Sequence, residues 1–193
     1  MNLVPSNKSQ RWLRYFEIPR ARIFGAPLYV HSGIVFSLVF FMAIAVADAV
    51  IAVEYFLVFV GSVLLHEYGH AFVADRLGLK VFAVHVSWLH GLCEYEHPPN
   101  EWEDVLVAWG GVLAQFAVAF VAWALLIANL ITETSLLGSA VSFLVSINII
   151  IAVINLLPVE RYDGKLAWRV IPLFRDQIRA HRVAKDAIDK LKK

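Results

Sequence analysis

Four apolar runs divide this chain: residues 30–47, 51–73, 105–131 and 136–157. A helix needs about 20 consecutive apolar residues to cross a bilayer, so the pattern predicts about four transmembrane helices. Asp48 and Glu54 flank the first turn, "TETS" (132–135) makes another, and Pro158 breaks the last run near its end. Residues 79–99 behave differently. "VFAVHVSWLHGLCEYEHPPN" carries too many polar groups and β-formers for a span, and Val84, Val86 and Trp88 alternate with His85, Ser87 and Leu89. That alternation predicts a β-hairpin over roughly 81–89 and 92–97. Asn100, followed three residues later by Glu103, resembles a capping box opening the next helix. The fold class expected is an all-α membrane protein with a small membrane-associated β-hairpin between the second and third spans.

Charge sharpens this picture. Lysine and arginine occur at positions 8, 11, 14, 20, 22, 76 and 80, then only from Arg161 onward. The stretches 23–75 and 81–160 contain none. Basic residues favour the cytoplasm, so both termini and the 76–80 corner are expected there, in a multi-pass protein of a prokaryotic cytoplasmic membrane. Three segments follow: a basic cytoplasmic or interfacial leader (1–27), a membrane domain (28–170) and a basic cytoplasmic C-terminal helix (171–193). The composition agrees, with 60% hydrophobic and 17% charged residues against about 25% charged in soluble domains. The partner it implies is the lipid bilayer, not nucleic acid. A single cysteine, Cys93, excludes an internal disulfide.

Against this background "VLLHEYGHAFVADRLG" (63–78) stands out. His66 and His70 are four residues apart and share one helix face, so both imidazoles can meet one ion. Glu67 beside them can deprotonate a water, and zinc lowers the pKa of a bound water to about 7. H-E-x-x-H also occurs by chance, but ionisable groups facing lipid are costly, and an ion shared in the protein interior explains them better. A catalytic zinc takes three protein ligands. The third candidate is Asp163 in "NLLPVERYDG" (155–164). Taken alone, Asp163 reads as the N-cap of a helix over 164–171; taken with H-E-x-x-H, it reads as a ligand to a single Zn2+.

The two motifs together, His66-Glu67-x-x-His70 and Asn155-x-x-Pro158-x-x-x-x-Asp163-Gly164, resemble the signature of the site-2 proteases, the intramembrane zinc metalloproteases. The resemblance covers roughly 27–170. It implies zinc on His66, His70 and Asp163, Glu67 as catalytic base, and an endopeptidase cutting the transmembrane segment of another membrane protein, in regulated intramembrane proteolysis. It implies a minimal member, without PDZ or CBS domain, for which a second copy or a regulatory membrane protein is an open partner. The chain departs from the family at "WGGVLAQF", where Gly111 stands in a proline position and Gln115 in an asparagine position. Gln115 and Asn155 are candidates for substrate binding or for the oxyanion. For both, the bland alternative is interhelical hydrogen bonding, the role expected of Asn148. His31 reads as interfacial, and His85, His90 and His97 as surface or strand residues. Close packing of the third span accounts for Gly110, Gly111 and Ala114. The hairpin is expected to offer an open strand edge to an unwound substrate. The alternative function is a non-catalytic zinc-binding scaffold or regulator; a metal-handling membrane protein would not need the second motif.

Overall fold

The structure is a computed structural model that describes residues 15–45, 48–132 and 134–191. The first fourteen residues of the leader lie outside the described residues. Strands β1 (Tyr15–Ile23) and β2 (Ala26–His31) are followed by helices α1 (Ile34–Ile44) and α2 (Ala49–Arg76). Strands β3 (Val81–Val86) and β4 (Gly91–Tyr95) come next, then α3 (Glu101–Ile127), α4 (Leu136–Asn155), a single turn α5 (Gly164–Ala167) and α6 (Val170–Leu191).

Three helices, α2, α3 and α4, are long and apolar enough to cross a membrane, and the chain is an integral membrane protein. The fourth expected span is not a full one. The run from 30 to 47 opens as strand through His31, and α1 has 11 residues, about 16 Å against a hydrocarbon core of about 30 Å. Apolarity alone cannot separate a buried strand from the start of a span, and β2 is apolar because it is covered. The sheet takes up the missing length. Ile34 and Phe41 of α1 pack with Phe59 and Val63 of α2 and with Val86 of β3, and Ser37 Oγ donates to the Trp88 carbonyl at 2.5 Å.

The expected hairpin is likewise half of something larger. β1 and β2 pair antiparallel around a tight turn at Phe24 and Gly25, both with positive φ, as a two-residue hairpin connection requires. β2 then pairs in parallel with β3, and β3 antiparallel with β4, giving one sheet in the order β1-β2-β3-β4. The leader was expected to be a basic cytoplasmic or interfacial segment; its residues 15–23 form an edge strand. β3 is interior, so the open edges are those of β1 and β4.

Helix ends follow the sequence closely. Asp48 caps α2, accepting from the N–H groups of Val50 and Ile51. Asn100 caps α3: its Oδ1 accepts from Glu103 N–H at 3.0 Å, and its Nδ2 donates to the Glu103 carboxylate at 2.8 Å. α2 and α3 cross at Gly69 and Gly110, where a methyl group on Gly69 would overlap the Gly110 backbone. Small residues allow this close approach of two spans.

Candidate metal centre

The crossing of α2 and α3 sets the depth of the site. His66, Glu67 and His70 project from α2 toward α3 and the end of α4, and all three are buried. Gly111 lies directly under the imidazoles: a Cβ there would sit 2.6 Å from His70 Nε2 and 2.7 Å from His66 Cε1. Glycine in this position leaves the room the rings occupy.

Asp163 arrives by a different route. α4 ends at Asn155, and the chain turns back on itself through Pro158. Gly164 presses so closely against the Leu156 and Leu157 carbonyls that any side chain would collide with them. Trp168 Nε1 donates to the Leu156 carbonyl at 2.6 Å, and Trp109 Nε1 of α3 donates to the Ala167 carbonyl at 3.0 Å. Together these fix α5 under the bundle. Asp163 precedes that turn of helix, yet its side chain makes no capping bond. Its Oδ2 instead lies 2.9 Å from His66 Nε2 and 3.2 Å from His70 Nε2. The two imidazole Nε2 atoms are 3.0 Å apart.

These distances fit a zinc ion. Four ligands at about 2.0–2.1 Å in a tetrahedron lie about 3.3 Å from one another, and the two nitrogens and the carboxylate oxygen are spaced nearly so. The three residues are the one cluster of this kind among the described residues. The opposite ring nitrogens are also held: His70 Nδ1 donates to the Val107 carbonyl at 2.7 Å, and His66 Nδ1 donates to Gln115 Oε1 at 3.0 Å.

Glu67 points the other way along the site, toward β4. The Cys93 N–H faces its carboxylate, and Gly91 lies so close that a Cβ would overlap the Glu67 side chain. Burial first, then the Glu67 and Glu94 carboxylates, pushes the Cys93 thiol up to about 12. Burial raises Tyr95 to about 12 as well.

The other candidates fall in different places. Asn155 Nδ2 is 3.3 Å from His66 Nε2, at the rim of the cluster. Gln115 is fully buried behind His66 and has no surface with which to touch a substrate. Asn148 donates to Ser62 Oγ and to the Leu144 carbonyl, an interhelical bond away from the metal ligands. His31 Nδ1 accepts from the Gly33 N–H. His85 is a buried residue of strand β3, stacked on Tyr29 and paired with Glu94 at 3.1 Å. The motif reading had no means of finding the contributions of the Val107 carbonyl, Gly91 and the Cys93 N–H. They are backbone contacts made by whichever residue the fold puts there.

No family model matches the chain. A zinc metalloprotease of Methanocaldococcus jannaschii is 28% identical over 159 residues, which make up 81% of this chain and 45% of that protein. The chain thus spans about half the length of the curated relative it matches. The solved structure of the site-2 protease from Methanocaldococcus jannaschii aligns with a TM-score of 0.61 at 22% identity, over 81% of this chain and 71% of that one. The resemblance read from the two motifs therefore stands in both sequence and fold.

Proposed function

We propose that this chain, a relative of the site-2 proteases, is a zinc-dependent endopeptidase that hydrolyses peptide bonds within the membrane. The observation that carries the reading is the convergence of His66, His70 and Asp163 from two distant segments onto one point, with Glu67 beside it. Zinc held there would supply Lewis acidity toward a water and a substrate carbonyl.

The chain's own residues do the rest. Glu67 is not among the clustered ligands, so its carboxylate is available to take a proton from the attacking water and to pass it to the leaving amine. Asn155, at the rim, can donate its amide N–H to the oxygen on which negative charge develops. Ala71, Ala74 and Val107 pack in a buried apolar cluster, and low-dielectric surroundings of this kind strengthen such interactions.

Substrate would enter as an extended strand. A transmembrane helix shields its peptide bonds, so the segment to be cut must unwind and its backbone groups need new partners. The interior position of β3 removes it as the docking edge and leaves β4. The Cys93 N–H faces Glu67 rather than β3. Successive N–H groups alternate in direction along a strand, so those of Gly91 and Tyr95 face outward too. An unwound segment paired with this edge would lie against Glu67. Tyr95→Pro removes one outward donor and spares the bonds to β3; it should slow cleavage while zinc binding is kept. A Tyr95→Pro protein that folds, binds zinc and cleaves at the wild-type rate would rule out docking on β4.

The activity itself is tested by co-expression with single-span membrane proteins. Glu67→Gln should lower cleavage by about 10²–10⁴-fold, the usual worth of a general base, and leave zinc content unchanged. Full zinc occupancy in a wild-type protein that cuts no substrate would favour the scaffold alternative. Release into a signalling pathway, as in regulated proteolysis, is the biological role this chemistry suits.

A further inference from the structure

Both imidazoles in the cluster are gripped from behind, and by different means. His70 Nδ1 donates to a main-chain carbonyl, that of Val107, at 2.7 Å. His66 has no such carbonyl. Its Nδ1 meets Gln115 Oε1 at 3.0 Å, across the gap between α2 and α3. Gln115 is completely buried, and its Nε2 has no hydrogen-bond partner among the described residues. Leaving a buried amide N–H unpartnered carries a penalty. A chain that tolerates it here is using the other end of the amide.

The orientation of that amide follows from the site. A histidine that gives its Nε2 lone pair to a metal must carry its proton on Nδ1. The group facing Nδ1 must then be an acceptor, so the glutamine presents its oxygen and turns its NH2 away. We infer that Gln115 is a positioning residue that fixes the tautomer and the aim of His66, doing for this ligand what the Val107 carbonyl does for His70. Partners of this kind orient metal-bound histidines and raise their basicity. A shorter amide on the same backbone would stop a methylene short of the ring, so the departure at this position from asparagine has a geometric reason here.

The inference rests on the zinc reading above, and its test is read on the metal. Zinc affinity is measured on purified full-length protein in detergent by competition with a chelator, and the Co2+ form is followed by its electronic spectrum. Gln115→Met keeps the length and removes the acceptor; it should weaken zinc about 10–100-fold and change the Co2+ spectrum. Gln115→Leu serves the same purpose if the Met variant does not fold. Gln115→Glu keeps an acceptor at the same reach and should bind zinc at least as tightly as the wild type. Asn148→Leu removes a buried amide that touches neither histidine and should leave zinc affinity unchanged. Wild-type affinity in the Met or Leu variant overturns the inference, as does lost affinity in Gln115→Glu or equal weakening in Asn148→Leu. A wild-type protein that binds no zinc at all would instead sink the zinc reading on which this one stands.

Discussion

The two halves of α2 are built to opposite specifications. In the outer half, from Val50 to Leu57, Val50, Val53 and Leu57 project outward and Ala52 alone is fully buried; Val50 and Leu57 are about 60% exposed on the protein surface, and there they would meet lipid. From Ser62 to Ala74 one face is buried, and it holds the small residues Gly69, Ala71 and Ala74 together with His66, Glu67 and His70. Hydrophobicity sets the first half and needs little else. The second half depends on backbone proximity, because three polar side chains must reach partners on α3, β4 and α5 at once. One continuous helix therefore carries a tolerant anchor and an exacting site.

Substitutions can break that contrast or sharpen it. The largest effect is expected from His66→Ala, or from Asp163→Ala, which supplies the matching ligand. Either should abolish measurable zinc binding in purified protein, and cleavage with it. Normal zinc content in Asp163→Ala would mean that Oδ2 lies near the imidazoles without serving as a ligand. A smaller effect is expected from Gly69→Ala. Its methyl group collides with the Gly110 backbone, and overpacking of this sort costs about 1–3 kcal/mol, to be read from thermal unfolding in detergent. The α2–α3 spacing would widen as well, so zinc should bind more weakly. The smallest effect is expected from Leu57→Ala on the outer half, within about 0.5 kcal/mol of wild type and with unchanged zinc affinity. A Leu57→Ala protein as impaired as Gly69→Ala would erase the distinction between the halves.

The site was more legible in the sequence than the fold around it. His66, Glu67 and His70 could be grouped because helical spacing puts i and i+4 on one face, and Asp163 could be joined to them through a second motif. Its competing role as a helix cap could be set aside only in three dimensions, where Gly164 and Trp168 turn the segment under the bundle. Gln115 was legible as a polar residue in a span, but not as the partner of His66, since nothing in a linear pattern says which helix faces which. The sheet was harder still. β1 lay in a basic stretch with Pro19 inside it, and β2 merged into an apolar run. Parallel pairing between β2 and β3 leaves no mark in either segment, because α1 and α2 lie between them. The result was that the first apolar run read as one span where the structure has β2 followed by the short helix α1, and that β1 and β2 went unforeseen as strands.

That parallel pairing also governs the order of assembly on the ribosome. β2 leaves the exit tunnel well before its neighbour β3, which follows only after α1 and α2 have been made. Chains fold progressively as they emerge, so the helical pair must enter the membrane before the sheet can join across it, and β4 closes the edge later still. Asp163 comes last, after α3 and α4. Until it emerges, a nascent chain holds two of the three residues gathered at the metal centre. The three-residue cluster is thus completed only by the last of its members to be synthesised, after the residues of all three long helices.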